Sequence, residues 1–496
     1  MNVRESIEFG RRRAVAVCAA LALAAVGALG QAGYSGPAQN PAFAQNPTSA
    51  QNPFYGSVTL KPATDATLEL SLDEAVRRGL KTNLGLQEAQ VAEEAVRGEK
   101  NQALQEFLPT ITVSGGTGIF QQNLVAVGFG ASTVAGFGSV LGLRTASVSP
   151  VTKDDLTQGQ VNFSESLFSG PVIAGWRAAG AAERAAYFQK MSARGEVVQQ
   201  VATAYLRAVA AASELEDAIA LEQGDQALFD LAHAAHEAGT VANLDELRAR
   251  VQLQAQQQAV IAAGNARDKD LILLKREIGV APGQKVQLTD ATPFAELAAQ
   301  TPEEVRAVAY KNRQDYQTLQ NQLAELKQVH AAYRSERLPT LSFSGHWGTD
   351  TVNGAGTHGN FVAVGTLSVP IFNEAKLRGD EQAAAAQLDG VRAQLEDARG
   401  RIEQQVRAAL LDVDATHKLV EVARSNQALA TRELSDETDR VSAGVDDNLP
   451  LVDAQATLAN AQNNVIESLY QYNLAKLALA RAAGILEQQY RVYLGQ

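Results

Sequence analysis

FLPTITVSGG at 107–116 and RLPTLSFSGH at 337–346 are the stretches from which the fold is read. They lie 230 residues apart and share a Leu-Pro-Thr opening, followed by alternation of apolar and small polar residues. In the second, Leu341, Phe343, Gly345 and Trp347 fall on one side, and Thr340, Ser342, Ser344, His346 and Gly348 on the other. Side chains of a strand point alternately to its two faces, so this period predicts a strand over 340–348. A return segment puts Phe361, Ala363, Gly365, Leu367, Val369 and Ile371 on one side. Earlier in the chain Ile111 and Val113 alternate with Thr110, Thr112 and Ser114. Val161, Phe163 and Leu167 alternate in the same way with Gln160, Asn162, Ser164 and Ser166, and Glu165 interrupts the apolar side.

The offset of 230 also carries LSLDEAVRRGLKTN (70–83) onto QTPEEVRAVAYKNR (300–313). Further on it falls to 204, where VNFSESLFSG (161–170) meets GTLSVPIFNE (365–374). It stays at 205 for Ala238-Gly239 against Ala443-Gly444 and for Ile278-Gly279 against Ala483-Gly484. A constant offset on both sides of one jump means two copies of one unit, the first carrying about 26 extra residues between 117 and 160. The copies are expected at 68–290 and 291–488, with a C-terminal tail at 489–496. Each reads helix, strand, loop, strand, long helix, turn, helix.

The helical stretches carry heptads. Leu451, Ala454, Leu458, Ala461, Val465, Ser468, Tyr472, Ala475, Leu479 and Ala482 alternate steps of three and four, and Val197, Val201, Ala204, Ala208, Ala211, Leu215 and Ala218 do the same. Such stripes predict coiled-coil packing, and alanine at so many seam positions predicts closely approaching helices. The stretches 171–237 and 374–441 are each about as long as two shorter ones laid end to end, 71–107 with 243–278 and 302–337 with 450–486. At 1.5 Å per residue this predicts antiparallel helices about 100 Å long.

Composition narrows the function classes. The 496 residues are 46% hydrophobic and 20% charged, with a formal net charge of -12, the wrong sign for displacing counterions from nucleic acid. Nucleic acid is therefore excluded as a partner. Arg11, Arg12 and Arg13 precede the apolar run 14–30, which is short for a spanning helix of about 20 residues and reads as a signal peptide over 1–30. Ala28 and Gly30 stand at candidate cleavage positions, with Ala-Phe-Ala at 42–44 as the alternative. Val17 before Cys18 argues against a lipoprotein site. Residues 31–67 form a low-complexity linker in which Ala-Gln-Asn-Pro recurs at 38, 44 and 50, expected to be disordered or extended.

Two-faced strands of about ten residues in an exported chain fit a membrane barrel with a wet interior. A soluble hairpin pair packed on a core has the same alternation. Four strands do not close a barrel, since single-chain barrels start at about eight, so hairpins that span a membrane require an oligomer.

The chain resembles the TolC family of outer-membrane efflux proteins over about residues 68–488. The resemblance rests on LSLDEAV (70–76) with Asn83, the two Leu-Pro-Thr strand starts, the Leu-Phe (167–168) and Ile-Phe (371–372) strand ends, and the 444–454 turn with Asp453-Ala454. It implies a mainly α fold with a membrane β-barrel: duplicated helix-strand-strand-helix-helix units whose long antiparallel helices form an α-barrel. Four strands per protomer would complete a 12-stranded barrel in a homotrimer. It also implies an outer-membrane location extending into the periplasm, an exit duct for solutes or proteins, and docking through a periplasmic adaptor to an inner-membrane pump. The alternative is a soluble periplasmic coiled-coil scaffold.

For candidate sites, the family has acidic side chains ringing a periplasmic aperture at the helix turns. Asp453 matches one such position, and Asp446, Asp447, Asp245 and Glu246 sit at or beside the turns, where like charges would attract cations and raise one another's pKa. Helix capping on a solvated acidic turn is the plainer reading of the same residues. Lipid-facing candidates are Leu341, Phe343, Trp347, Phe361, Leu367, Val161 and Phe163. No catalytic, cofactor or metal motif emerges: His233 and His236 lack a third ligand and read as a solvated helix face. The Gly-rich stretch 127–142 lacks the Lys-Ser/Thr ending of a phosphate loop and reads as a surface loop. Neither the transported substrate nor the pump class is legible.

Overall fold

A computed structural model of the chain describes residues 52–58, 62–123, 151–239, 242–290, 294–352, 356–442 and 448–495. The signal peptide, most of the linker, the Gly-rich loop, Asp446 and Asp447 lie outside these residues. In order, the elements are β1 (Leu68–Leu70), α1 (Leu72–Thr82), α2 (Leu84–Gln105), β2 (Thr110–Asn123), β3 (Val151–Phe168), α3 (Gly170–Glu237) and α4 (Asn243–Glu277). They continue with β4 (Val286–Leu288), α5 (Pro302–Asn312), α6 (Gln314–Ser335), β5 (Thr340–Val352), β6 (Thr357–Ser368), α7 (Glu374–Ser442), α8 (Asn448–Ala482) and α9 (Leu486–Leu494). The chain is mostly helical with few strands, and it divides into two units. Of the described residues, one takes Arg97–Ala181 and Ala324–Asp389; the other takes those from 52 up to Val96, Ala182–Leu323 and those from Gly390 on.

The first unit holds a four-stranded antiparallel sheet in the order β2-β3-β5-β6. Glu325 of α6 is buried in this unit. Burial first, and Glu99 second, push its carboxyl up to about 7. A carboxyl whose folded pKa lies above its unfolded one binds extra protons in the native state between about pH 4.5 and 7, so stability falls as pH rises through that window. Glu325→Gln, which keeps the neutral shape, is expected to stabilise the protein at pH 8 by up to about 3 kcal/mol relative to its effect at pH 5. Thermal unfolding of both forms at the two pH values checks this; equal effects would refute it.

The second unit holds the main core, where the seams expected from the heptads meet. Val197, Val201 and Ala208 of α3 and Leu479 of α8 are fully buried, and Ala454, Tyr472 and Ala482 nearly so. Leu70, Leu72, Leu274, Ile402 and Leu486 form one cluster with Val197, Val201, Ala208, Leu479 and Ala482. Three-residue strands β1 and β4 pair in parallel, Leu68 opposite Val286 and Leu70 opposite Leu288. Asp290, just past β4, accepts from the Leu72 amide at 2.8 Å and so caps α1.

Two expected single helices are each broken in two. The stretch 71–107 breaks at Asn83, and 302–337 at Arg313, both in extended backbone. The breaks make room for a helix end. Gly279, after α4, has φ +68° and packs on Thr82; Gly484, after α8, has φ +74° and packs on the backbone of Asn312 and Arg313. Only glycine takes such backbone angles without steric cost, and here the absent Cβ is also the space the neighbour fills. Asn83, buried at the first break, donates from Nδ2 to the Phe54 carbonyl at 2.6 Å and accepts from the Leu86 amide at 3.3 Å.

The end of the linker is ordered, which corrects the expectation of a disordered or extended segment at 52–58. Asn52 of the third Gln-Asn-Pro caps the short 3-10 turn Pro53–Tyr55, and Phe54 is buried against Gly85. The connector between the halves is tied down as well. Fully buried Lys476 donates to the Ala295 carbonyl at 3.1 Å and lies 4.6 Å from the Tyr472 ring centre, and burial lowers its ammonium to about 8. Residues 489–494, expected as a tail, continue α9, with Tyr490, Tyr493 and Leu494 in the core.

Candidate functional site

The sheet of the first unit has two chemically different faces. Residues directly opposite across a ladder share a face. One row runs Val113, Val161, Trp347, Phe361; the next runs Ile111, Phe163, Gly345, Ala363. Below them Glu165, Phe343 and Gly365 align, and Leu341 pairs with Leu367. All seven strand residues singled out above, Leu341, Phe343, Trp347, Phe361, Leu367, Val161 and Phe163, therefore lie on one face. Trp347, Phe361 and Leu367 are 68%, 71% and 67% exposed, and Phe163 meets Phe343 edge-on at 5.5 Å.

The opposite face carries rows of small polar residues: Ser114, Gln160, Gly348, Asn360, and Thr110, Ser164, Ser344 with Val364. Asn162 donates to Ser114 Oγ at 3.0 Å across one such face. Phe120, Leu156, Val352, Val362 and Val364 are its apolar exceptions. Glu165 stays on the apolar face near its end, next to a register shift between Ser166 and Phe168.

Two expectations about the strands change. They hold 14, 18, 13 and 12 residues, not about ten. The return strand ends at Ser368, so Val369 and Ile371 are not ladder residues. Pro370, without an N–H, cannot continue the ladder, and Ile371 and Phe372 beyond it are 95% and 99% exposed.

The second unit contains the helix-turn ends. Leu228 and Ala232 of α3, Ala249 of α4 and Leu451 of α8 form a small core there, with Leu434 and Val441 of α7 packed against it. Gly239, at φ +72°, leads out of α3. Asp453 is exposed on the first turns of α8. Asp245 pairs with Arg248 at 3.3 Å within α4.

Glu246 is placed differently from the expectation of an open acidic ring. It is buried, and its carboxylate takes His233 Nδ1 at 3.1 Å, Arg250 at 3.3 Å and His236 Nε2 at 3.9 Å. His233 and His236 keep a solvent-exposed side, as a solvated helix face would, and His233 also links α3 to α4 through Glu246, with Phe229 stacked on His233 and Arg250 over Phe229. The sequence signal for this was the i, i+3 histidine pair, but its partner lies across a turn whose geometry the sequence does not give. Beside this cluster Leu244, Leu247, Arg248, Val251, Gln252 and Val452 line a shallow apolar hollow of about 350 Å³. Among the described residues no group of three or more His, Cys, Asp or Glu is arranged to hold a metal ion. No described helix is long and apolar enough to cross a membrane.

One chain thus combines a sheet that has an exposed apolar face with helices of 68 and 69 residues, a combination that fits a membrane channel protein. The chain belongs to the outer membrane efflux protein family, which matches residues 75–280 and 305–485, one block in each half. This is a family of outer-membrane channels and not an enzyme class.

The alkaline protease secretion protein AprF of Pseudomonas aeruginosa is 26% identical over 319 residues, 59% of this chain and 62% of AprF. The outer membrane protein TolC of Escherichia coli is 23% identical over 354 residues, 67% of this chain and 70% of TolC. Among solved structures, a membrane protein from Pseudomonas aeruginosa superposes with a TM-score of 0.70 at 21% identity, covering 83% of this chain and 93% of that one. The CmeC outer membrane channel of Campylobacter jejuni gives 0.68 at 16%, with 88% and 92% covered. These likenesses establish the fold.

Proposed function

We propose that this protein is the outer-membrane exit duct of a tripartite efflux or type I secretion system. Three copies would bring four strands each to a 12-stranded barrel, and their helices would form a tunnel through the periplasm. The duct does no chemistry; it supplies a passive, water-filled path for solutes or proteins. A periplasmic adaptor and an inner-membrane pump dock to it and supply the energy. The observation that carries this reading is the sheet: one face bears an exposed apolar band that includes Val161, Trp347, Phe361 and Leu367, the other is mainly small and polar, and the described strands are too few to close alone. Family membership, with AprF named for protease secretion and CmeC for a channel, supports it.

In this reading residues 1–30 are removed on export, 31–67 form a linker whose last part docks on the body, 68–290 and 291–488 are duplicated units, and 489–496 close the chain. The apolar face, with Leu341, Phe343, Trp347, Phe361, Leu367, Val161 and Phe163, meets lipid. Asp453 and Asp245, together with Asp446 and Asp447, ring the periplasmic aperture, while Glu246 braces the turn behind them.

Reconstitution in planar lipid bilayers tests the duct. Stable conductance steps from a trimer-sized particle are expected; a water-soluble, non-conducting particle would leave a periplasmic coiled-coil scaffold in its place. Once conductance is established, Asp453→Ala is expected to weaken block of single-channel current by divalent cations several-fold, because it removes one carboxylate per protomer from the ring. An unchanged block would take Asp453 out of the aperture.

A further inference from the structure

Residues 52–58 lie as a strap across two places in the second unit. At the break between α1 and α2 the Val58 amide donates to the Thr82 carbonyl at 3.0 Å, the Leu84 amide donates to the Gly56 carbonyl at 2.9 Å, and the Phe54 ring fills the space beside Gly85. At the end of α4, Arg276 Nε donates to the Tyr55 carbonyl at 3.0 Å, and Ser57 Oγ donates to the Arg276 carbonyl. The next residue is Glu277, whose side chain is 1% exposed. Among the described residues neither of its carboxyl oxygens has a hydrogen-bonding partner. A buried carboxylate without a partner is costly, whereas the protonated acid carries no charge to desolvate. Burial accordingly raises the Glu277 carboxyl well above the usual carboxylate range.

The charged and titratable groups around this site offer it no counter-charge. On the strap stands Tyr55, whose hydroxyl is raised to about 12 by burial first and by Glu277 second. Glu196 of α3 and Tyr470 of α8 act on the same hydroxyl. Glu196 is itself paired with Arg481 of α8 at 2.7 Å, and burial raises Tyr470. On α4, Arg276 is turned to the strap, and Lys275 donates to the Pro282 carbonyl at 3.2 Å. The strap is also the most weakly held element of the group. Seam residues of α3, α4 and α8, among them Val197, Leu274 and Leu479, belong to the main core. The strap is held by a few hydrogen bonds and one buried ring, and Asn52 at its start is buried with Nδ2 unpartnered among the described residues.

We propose that Glu277 is a proton-dependent latch for the strap: with the carboxyl protonated, residues 52–58 stay docked over the end of α4, and with the carboxylate formed they lift off. Lifting admits water to Glu277 and returns its carboxyl to the ordinary range. The docked state therefore binds the extra proton, so docking is strongest at low pH and is lost as pH rises through the raised value. Above about pH 4.5 the docking equilibrium falls by up to about ten-fold per pH unit until that value is passed, and is flat beyond it. The device sets how firmly the end of α4 is tied to the α1–α2 break, where Gly279 already sits on Thr82. It belongs to the second unit alone and goes beyond the duct reading, which it does not require.

A nitroxide on Val58→Cys tests the latch in the full chain, in a Cys18→Ser background that leaves no other cysteine. The Val58 side chain is 38% exposed, so the label reports on the strap without displacing a core residue. Its paramagnetic resonance line shape is recorded from pH 5 to pH 9, with helical circular dichroism alongside. The mobile fraction is expected to rise at least about five-fold across this range and to fall again when pH 5 is restored. Glu277→Gln is expected to hold the label immobile throughout. Glu277→Met, of similar length and without a polar group, is expected to do the same and serves if the amide is not accommodated. A parent label whose mobility does not change with pH, or is already high at pH 5, would overturn the latch. So would a rise kept in both Glu277 variants, which would pass the effect to another group such as Lys476, lowered to about 8 by burial. Loss of helical signal in step with label release would overturn it too, because the strap would then report only unfolding.

Discussion

Trp347→Arg is expected to strip the protein from the outer membrane. Trp347 is 68% exposed, pairs with Val161 on one side and Phe361 on the other, and is flanked on its face by apolar or small residues. A charge on the lipid-facing side of a barrel costs up to about 2–4 kcal/mol, most at mid-depth. In a trimer the cost enters three times, up to about 6–12 kcal/mol per assembly, comparable at its upper end to the whole stability of an ordinary domain. His346→Arg, one position away on the polar face, adds charge beside Asn162 and Val362 where water has access, and little change is expected. Carbonate-resistant protein and SDS-resistant trimer are the readouts. Equal retention of both variants would mean that the apolar face does not meet lipid.

Gly484→Ala is expected to be the most damaging single methyl group in the second unit. At φ +74° a residue with a Cβ pays about 1–2 kcal/mol. That Cβ would also stand 2.7 Å from the Arg313 amide nitrogen and 2.8 Å from the Arg313 Cα and Asn312 carbonyl carbon, all backbone atoms that cannot swing aside. Overpacking of this kind costs a further 1–3 kcal/mol, roughly, for a total of about 2–5 kcal/mol. The opposite result is expected at Gly390, inside α7 with open space around it, where alanine is worth about 0.5–1 kcal/mol of helix stability. Thermal unfolding of the two variants beside the parent decides the matter, and a Gly484→Ala melting point equal to the parent's would show that the helix break at Arg313 yields.

What the sequence made legible is what repeats with a short period. Two-residue alternation placed Trp347 and Phe361 on one face, and heptads placed Leu451 to Ala482 on one seam, because each signal is written many times over. The break at Asn83 was not legible; its cause, Gly279 seated on Thr82, joins residues far apart in the chain. Likewise β1 and β4, three residues each, are too short to carry a period, and their pairing depends on a core that both strands help to build. Glu246 misled for another reason. An acid at a turn looks solvent-facing until the turn folds His233 and His236 onto it, and composition cannot say which way the turn folds.

The last helix also sets a schedule. Tyr490 donates to Asp73 Oδ1 at 2.8 Å and Arg491 to the same oxygen at 2.8 Å, so residues near the end of the chain fasten the first helix of the body. Gly484 closes over Arg313 only a few residues earlier. α1 is thus held both by early partners, Asp290 at its start and α3 on its buried side, and by the late helix α9. Docking of α9, rather than of any earlier helix, adds this tie. A chain lacking α9 loses the Tyr490 and Arg491 contacts to Asp73 and keeps the Asp290 cap.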